Sequence, residues 1–443
     1  MKKICTLLMI TALAVCGLRA QNAVMSHGTM LSRFSIVRPW QSDKYVAYSS
    51  DASSSTFCLV SPSSGAMTTA DLPRGFEITD FVILDDKVFF CGQVPGSPFL
   101  GYLDINLLFA DLDDFHFYRL DPMRVTRPLK ISAFNVSDGR HLVGVADGFS
   151  LQGDPARVVV DLPIRSDGTL YPYRYSNMED NVEAFDDIAV TDDCVIISGH
   201  KADADGLCLR VFGRPTSTSD NIFSPALISD RILCGHAGLI TVRDGFLAAG
   251  IDGMHYSVAA IGYANGRYGL DFSIYKTLAA NQASLVYRGF VPLDNNISSN
   301  WALRDISYDQ QYDKLLIALD YTDAAGTDRS AVCEIASPMV PTSAVMNMLS
   351  GYSLFSACPG DTGGSFVAVG HNGAGMFSLF RHTDGNSDCH QQYSVAISSI
   401  SEPEEWLDKS LIWDNLRIIP ISITPIVDHS AQEIDCETID LTH

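Results

Sequence analysis

The chain has 443 residues, of which 47% are hydrophobic and 19% are charged. This composition supports a large buried core and excludes an intrinsically disordered chain. The formal net charge of -22 argues against nucleic acid as a partner, because an acidic surface repels phosphate backbones. A soluble, self-repelling surface is the simplest explanation of this charge, and a basic partner or bound cations are the alternative.

The N-terminus has the composition of a secretory signal peptide. Lys2 and Lys3 precede an apolar run over residues 4–17, and Ala20 is the small residue expected before a cleavage site. The run is shorter than the roughly 20 apolar residues of a membrane-spanning helix. We therefore expect residues 1–20 to be removed, leaving Gln21 at the start of an exported protein with no transmembrane segment. A lipoprotein signal ending at Cys16 is the alternative.

The compartment expected for such a protein is the periplasm, the cell surface or the extracellular medium. The Lys-Lys start and the Ala-Gln junction resemble those of exported proteins from Bacteroides-type bacteria. This resemblance concerns the leader alone and implies export without implying an activity.

Short apolar runs bounded by Asp and Gly recur along the rest of the chain and are typical of β-strands. The clearest group lies in residues 187–212. In chain order, the first four groups predict strands at 34–37, 45–48 and 57–60; 78–84, 88–91 and 99–103; 131–136, 142–145 and 157–161; and 188–190, 194–198 and 208–212. The last three groups predict strands at 239–242, 246–249 and 257–261; 303–308, 315–318 and 331–335; and 354–358, 366–369 and 377–380.

The middle strands of these groups begin at residues 45, 88, 142, 194, 246, 315 and 366. Units of three or four strands at a spacing of about 50 residues resemble the blades of a β-propeller. We therefore predict an all-β, seven-bladed β-propeller over residues 21–400. Its N- and C-terminal strands, at 34–37 and near 393–397, are expected to pair and close the ring. Residues 401–443 are expected to form a tail that packs on the propeller.

The cysteines predict no zinc site, and the hairpin register argues against a Cys194–Cys208 disulfide, while other disulfide pairings stay open. Nine of the 11 cysteines lie after the expected signal peptide, which contains Cys5 and Cys16, and they have no Cys-x-x-Cys spacing. Most lie inside apolar strands, so we expect buried thiols. A hairpin register that sets Cys194 opposite Phe212 separates Cys194 from Cys208 by too much for a disulfide. We expect no metal and no cofactor.

The loops between second and third strands carry most of the polar and aromatic variety in the fourth to seventh groups. In a propeller these loops lie on one face, where variable loops on a rigid framework commonly bind ligands. His200 and His371 each follow a Gly at the end of a middle strand, which predicts equivalent positions. The predicted ligand-binding residues are His200, Asp203, Asp205, Asp252, His255, Tyr256, Asp320, Tyr321, His371 and Asn372.

No catalytic motif is present, so the sequence favours a binding module or scaffold for a surface protein, a peptide or a glycan on one propeller face. The alternative is a secreted carbohydrate-active enzyme, a glycoside hydrolase or lyase, which needs two carboxylates roughly 5–9.5 Å apart. The candidates for this pair are Asp252, Asp320, Asp323 and Asp328. A third possibility is a structural subunit of an envelope assembly. Catalytic residues cannot be assigned from the sequence.

Overall fold

A computed structural model describes most of the chain, and nearly all of the described part is antiparallel β-sheet. The described residues are 22–25, 33–50, 55–62, 66–72, 75–94, 97–108, 116–150, 152–168, 174–177, 183–201, 204–223, 228–229, 231–236, 243–264, 267–278, 282–293, 297–323, 328–350, 352–361, 365–372, 377–382, 390–400, 404–408, 412–415, 418–421 and 432–433. The expected signal peptide, residues 1–20, lies outside them.

Within these residues, seven sheets of four or five strands follow one another along the chain. The four consecutive strands of sheet 1 are Arg33–Gln41, Lys44–Ser50, Ser55–Ser61 and Ala66–Leu72. Those of sheet 2 are Glu77–Leu84, Lys87–Val94, Ser97–Asp104 and His116–Leu120. Those of sheet 3 are Val125–Val136, Gly139–Phe149, Pro155–Arg165 and Arg174–Asn177. The four consecutive strands of sheet 4 are Glu183–Val190, Cys194–Lys201, Ala204–Gly213 and Ile228–Ser229. Those of sheet 5 are Arg243–Gly250, His255–Ala264, Arg267–Leu278 and Gln282–Pro292. Those of sheet 6 are Ile297–Asp309, Lys314–Asp323, Asp328–Ala336 and Ser343–Ser350. Sheet 7 contains Tyr352–Pro359, Phe366–Asn372 and Phe377–His382, and the short helix Ile105–Leu108 lies in sheet 2.

The hydrophobic core lies between neighbouring sheets. Phe57 of sheet 1 contacts Phe81 and Phe90 of sheet 2, with ring centroids 5.6 and 6.0 Å apart. Comparable clusters join each successive pair of sheets up to sheets 6 and 7, and another joins sheet 1 to sheet 7. Because most sheets are covered on both faces, their central strands are unbroken apolar runs. Successive four-stranded sheets packed in this way form a β-propeller.

The number of complete blades differs from the prediction of seven. Sheets 1 to 6 are each built from four strands that are consecutive in the sequence, which gives six blades of one pattern. Sheet 7 has only three consecutive strands, and its fourth is the N-terminal strand Asn22–Met25, which pairs with Phe377–His382. The expectation of seven equivalent units is therefore corrected.

The predicted pairing of residues 34–37 with residues 393–397 is also wrong. Arg33–Gln41 pairs with Lys44–Ser50 as the innermost strand of sheet 1. His390–Ala396 pairs instead with Ser343–Ser350, at the outer edge of sheet 6. The sequence pattern indicated two strands correctly but did not indicate their partners, which are set by long-range packing.

The strands after residue 390 add to the outer edges of the sheets in reverse order. His390–Ala396 joins sheet 6 and Ser398–Ser399 joins sheet 5. Glu404–Asp408 pairs with Arg231–His236, which follows sheet 4. Finally, Ile412–Asn415, Ile418–Ile421 and Gln432–Glu433 join sheets 3, 2 and 1 respectively. We call residues 390–433 the C-terminal belt.

The fifth predicted group is displaced by one strand. Phe246 was assigned to a middle strand, yet it lies in Arg243–Gly250, the first strand of sheet 5. An Asp-Gly pair is typical of a turn, but Gly245 lies within this strand with φ of 87°. A Cβ atom at Gly245 would lie 2.8 Å from the Asp186 carboxyl carbon, so the glycine permits a close approach to sheet 4. The first predicted strand of this group, 239–242, lies outside the described residues.

The five cysteines whose side chains the structure describes are free thiols. Cys58, Cys91, Cys333 and Cys358 are buried, and burial raises the pKa of each above its usual value. Cys194 is half-buried and also free, opposite Gly213 rather than Phe212 as expected. No helix in the described part of the chain is long and apolar enough to cross a membrane.

Candidate binding site in the axial cavity

A cavity of about 340 Å³ lies where the first strands of all seven sheets converge. Each sheet contributes at least one lining residue. In sheet order, these include Arg38, Asp80, Lys130, Asp187, Ala248, Asp305 and Cys358. Much of the remaining wall is apolar, so the five charged side chains are the features that distinguish this cavity chemically.

β-Bulges determine which side chains face the cavity. In sheet 2, Ile78 pairs with Gly92 but Asp80 pairs with Cys91, so Thr79 is an extra residue. The same one-residue shift precedes Lys130 in sheet 3, Asp187 in sheet 4 and Asp305 in sheet 6. A bulge redirects the side chains that follow it. Four charged residues thus occupy equivalent positions after the bulge in their first strands.

Arg38 links sheet 1 to sheets 2 and 6 across this cavity. Its Nη1 atom lies 2.8 Å from Asp305 Oδ2, and its Nη2 atom lies 3.4 Å from Asp80 Oδ1. The Ser356 hydroxyl of sheet 7 donates a hydrogen bond to Asp305 Oδ2 and accepts one from the Val37 amide. Burial opposes the charge of Arg38, but the Asp305 and Asp80 carboxylates outweigh it and raise the pKa of Arg38. Arg38 is therefore held between the two carboxylates.

Two of the aspartates also join neighbouring sheets through the backbone. The Ile131 amide of sheet 3 donates to Asp80 Oδ2 at 3.0 Å. Likewise, the Ala248 amide of sheet 5 donates to Asp187 Oδ2 at 2.9 Å. A hydrogen bond from a backbone amide to a carboxylate is stronger than one between neutral groups. Asp80 and Asp187 consequently have a structural role between sheets as well as a place in the cavity wall.

Lys130 and Asp187 differ from the other charged groups. Among the described residues, no hydrogen bond or ion pair holds Lys130 Nζ directly. Burial alone would lower the pKa of Lys130, but the surrounding carboxylates of Asp80, Asp187 and Asp305 raise it. Burial raises the pKa of Asp187 to about 6, against the opposing effect of Lys130. The cavity thus presents an ammonium donor and a carboxylate that no other side chain occupies directly.

A second cavity of about 460 Å³ continues from the first. The two share Val82, Ser132, Val190 and Gly250 in their walls. The second is also lined by Leu84 and Asn135 at the ends of first strands, and by Asp192, Asp252 and Gln310 in the turns between first and second strands. The combined space therefore leads from the centre of the propeller towards the face that carries the first-to-second turns. The sequence instead predicts a ligand site among the second-to-third loops.

The described cavities do not include the histidines predicted to bind ligand. The register sets His200 opposite Ala184 and His371 opposite Ser353, each just after a Gly, so their predicted equivalence holds in the strand pairing. His200 Nδ1 lies 2.8 Å from Asp186 Oδ2, and this contact raises the pKa of His200. The His371 ring centroid lies 5.3 Å from that of Phe355.

Asp320 and Tyr321 also lie at the end of a second strand, on the face of His200 and His371. Asp320 accepts hydrogen bonds from Ser330 at 2.6 Å and Arg304 at 3.0 Å. Its pKa is raised by burial. Tyr321 is buried, and its hydroxyl lies 3.6 Å from Met348 Sδ. Asp320 and Tyr321 are thus engaged in packing between strands rather than presented on an open rim.

Because the fifth group is displaced by one strand, three of its predicted ligand-binding residues lie elsewhere than expected. Asp252 and His255 lie at the first-to-second turn of sheet 5, the opposite end from Asp320, and Asp252 Oδ2 lies 2.8 Å from His255 Nδ1. Tyr256 is fully buried and stacks on Tyr275 at 5.5 Å. The expectation that these residues share a rim with His200 and His371 is corrected. Asp252 and Asp320 therefore lie at opposite strand ends, whereas the carboxylate pair of a glycosidase lies close together.

Three of the predicted ligand-binding residues have no described side-chain position. Asp203 lies outside the described residues. Asp205 belongs to Ala204–Gly213 and Asn372 to Phe366–Asn372, but only their backbone is described. Among the described side chains, no group of three or more His, Cys, Asp or Glu residues is arranged to hold a metal ion.

The charged residues of the axial cavity were missed at the sequence level, although a signal for them exists. Three first strands contain a polar residue, an Asp and then a large apolar residue: Thr79-Asp80-Phe81, Asp186-Asp187-Ile188 and Arg304-Asp305-Ile306. A carboxylate inside an apolar strand requires a buried partner. That recurrence was the available evidence for a polar centre.

Comparison with known proteins identifies no family for this chain. No family model and no curated protein matches it. Among solved structures, a catalytically inactive virginiamycin B lyase from Staphylococcus aureus, crystallised with quinupristin, is similar with a TM-score of 0.44 and 11% identity, over 82% of this chain and 99% of the other. The β-propeller domain of Vanderwaltozyma polyspora Nup133 gives a TM-score of 0.42 and 8% identity, over 82% and 98%.

A bifunctional GH43-CE protein of Bacteroides eggerthii gives a TM-score of only 0.18 and 9% identity, over 87% of this chain and 64% of the other. All three TM-scores are below 0.5. The fold assignment therefore rests on the order of the sheets and on the cavity that their first strands surround.

Proposed function

We propose that this protein is an exported binding module whose ligand, part of a peptide or a glycan, enters the axial cavity from the face of the first-to-second turns. The observation that carries the proposal is the pair formed by Lys130 and Asp187. These two groups border a cavity of about 340 Å³ without a direct bond to another described side chain. A mainly apolar cavity with a few polar groups is the usual form of a ligand site.

Binding to defined panels of glycans and short peptides tests this proposal. The mature protein is compared with Lys130→Met, Asp187→Asn and a control, Asp154→Asn, whose side chain is exposed and lies away from both cavities. We expect at least one ligand to bind the wild type and the control but not the two cavity variants. A ligand that survives both cavity variants but is lost in His200→Ala or His371→Ala would instead locate the site on the second-to-third face.

Export is a separate part of the proposal and depends on residues 1–20. The basic start, the short apolar run and Ala20 support it. Intact-mass measurement of protein recovered from the exporting host is expected to give a chain that begins at Gln21. A lipid-modified species beginning at Cys16 would instead anchor the protein to a membrane, and an unprocessed chain would contradict export through this leader.

A further inference from the structure

We propose that the axial cavity receives a primary ammonium group with a hydrogen-bond acceptor next to it, as found at the free amino terminus of a peptide. This inference rests on the proposed function and specifies the ligand chemistry of the same cavity. It follows from the formal charge of the lining, from the positions of Lys130 and Asp187, and from the route that leads to them.

The lining of the inner cavity carries an uncompensated negative charge. Its carboxylates are Asp80, Asp187 and Asp305, and its cations are Arg38 and Lys130. Three aspartates against two cations leave one formal negative charge when all five are ionised. Isolated charge in a buried site is unfavourable unless it is paired. A guest with a single positive charge restores neutrality, whereas a guest carboxylate would add to the repulsion from three aspartates.

The available partners further restrict the guest. Asp80 and Asp305 are already bonded to Arg38. Asp187, in contrast, accepts a hydrogen bond from the Ala248 amide and has no described side-chain partner within hydrogen-bonding distance. Asp187 can thus accept from a guest ammonium, while Lys130 can donate to a guest carbonyl. An amino terminus carries both groups on neighbouring atoms, and a quaternary ammonium lacks the N–H donor that Asp187 requires.

The outer cavity provides a route for the rest of such a chain. Its lining includes two aspartates, Asp192 and Asp252, and one cation, Arg214. Arg214 is bound to the structure, because its Nη1 donates to the Thr191 carbonyl at 3.0 Å and its Nη2 donates to the Asn135 carbonyl at 2.9 Å. This mouth is therefore acidic, as is the whole protein with a formal charge of -22. Both charges attract a cationic guest.

Calorimetric titration with small defined amines tests the inference. The probes are glycyl-glycinamide, its N-acetyl derivative, and propylamine, which has the ammonium but no carbonyl. At pH 7 most of the α-amino groups are protonated, since their pKa is about 7.7–8.0. We expect glycyl-glycinamide to bind at least tenfold more tightly than the acetylated probe, and propylamine to bind with intermediate affinity. Equal binding of the free and acetylated probes would overturn the inference.

Variants locate the binding in the cavity. Asp187→Asn keeps an acceptor for the Ala248 amide but removes the charge. We expect this variant to bind glycyl-glycinamide at least tenfold more weakly than the wild type. Lys130→Met should remove the preference for glycyl-glycinamide over propylamine. The exposed control Asp154→Asn should match the wild type. If Asp187→Asn does not fold, the Lys130→Met variant and the pH profile still test the inference. An unchanged preference of Lys130→Met for glycyl-glycinamide over propylamine would overturn it.

The pH profile gives an independent readout. Asp187 faces Lys130 and Asp80, with Arg38 and Asp305 across the cavity. Amine affinity should fall between pH 7 and pH 5, as Asp187 takes up a proton and loses the charge that holds the ammonium. An affinity that rises over this interval would contradict the assignment.

Two further experiments distinguish the possible sources of the ammonium group, and distinguish failure of the ammonium inference from failure of the proposed binding function. Peptides of increasing length with the same free amino terminus distinguish a peptide ligand, whose affinity grows with length, from a free amino-acid derivative. If no amine binds but a glycan or an N-blocked peptide does, and Lys130→Met and Asp187→Asn abolish that binding, the ammonium inference fails while the binding function stands. If no ligand of any class depends on the cavity residues, both fail.

Discussion

At the scale of single residues, Asp187 is a buried side chain that combines a structural hydrogen bond with a place in the cavity wall. Its carboxylate accepts the Ala248 amide at 2.9 Å. Asp187→Ala would leave this buried amide unpaired, which costs about 1–3 kcal/mol, whereas Asp187→Asn retains an acceptor. We therefore expect Asp187→Ala to lower the free energy of unfolding more than Asp187→Asn in urea denaturation. Equal losses in the two variants would contradict the amide bond, and Asp154→Ala should be nearly neutral.

The raised pKa of Asp187 predicts a specific pH dependence of stability. Burial raises this pKa from the ordinary value of 3.8 to about 6, so the native state binds a proton more tightly than the unfolded chain. The contribution of Asp187 to stability is therefore favourable at low pH and falls as the pH rises from about 4 to 6, by roughly 3 kcal/mol at most. Asp187→Asn removes this dependence.

The measurement is the difference in free energy of unfolding between wild type and Asp187→Asn at several pH values from 4 to 7. Comparing the two proteins cancels the titration of the other carboxylates. The wild type should lose stability relative to Asp187→Asn as the pH rises through this range. A constant difference would show that the Asp187 pKa is close to that of the unfolded chain.

At the scale of the structural elements, a buried histidine joins sheet 3 to the segment 214–223. His141 Nδ1 lies 2.8 Å from Asp161 Oδ1, and His141 Nε2 lies 3.1 Å from the Ser217 carbonyl. Asp161 Oδ2 also accepts the Ile222 amide at 2.9 Å, and both side chains are fully buried. Removing one partner would leave the other buried hydrogen-bonding group unsatisfied, which costs about 1–3 kcal/mol and more where that group is charged. His141→Gln should therefore destabilise the protein by a few kcal/mol in denaturant unfolding.

His200→Gln is the matched control for this prediction. His200 makes the same 2.8 Å contact with an aspartate, Asp186, but its side chain is 39% exposed. Exposed pairs contribute about 1 kcal/mol or less. Comparable losses from the two substitutions would show that burial does not determine the value of the His141–Asp161 pair.

Strands and hairpins were the elements most open to sequence prediction. The Asp-Asp-Lys turn at residues 85–87 is a tight hairpin, with φ of 49° and 59° at Asp85 and Asp86, and its apolar flanks have the expected strand pattern. The fifth group failed because Gly245 signals a close contact with Asp186 in another sheet, not a turn. The charged residues of the axial cavity were not predicted for a related reason, since their partners are far away in sequence. Local patterns carry no information about such contacts.

At the scale of the whole molecule, the C-terminal belt covers sheet edges that would otherwise be open. Beyond residue 400, its strands pair with sheets 1, 2 and 3 and with Arg231–His236. Pro420 lies in the strand Ile418–Ile421, as is tolerated at an edge. A proline within a strand is typical of an edge position, but the order in which the belt pairs with the sheets has no local sequence signal.

Deletion of residues 401–443 should expose these edges and promote association between molecules, because open strands pair with other chains. We expect the truncated protein to have a lower melting temperature and to form oligomers or aggregates in light scattering at concentrations where the full chain is monodisperse. Deletion of residues 434–443 alone is the control, since it keeps every described strand of the belt. An unchanged melting temperature and a monodisperse truncated protein would show that the belt does not protect the sheet edges.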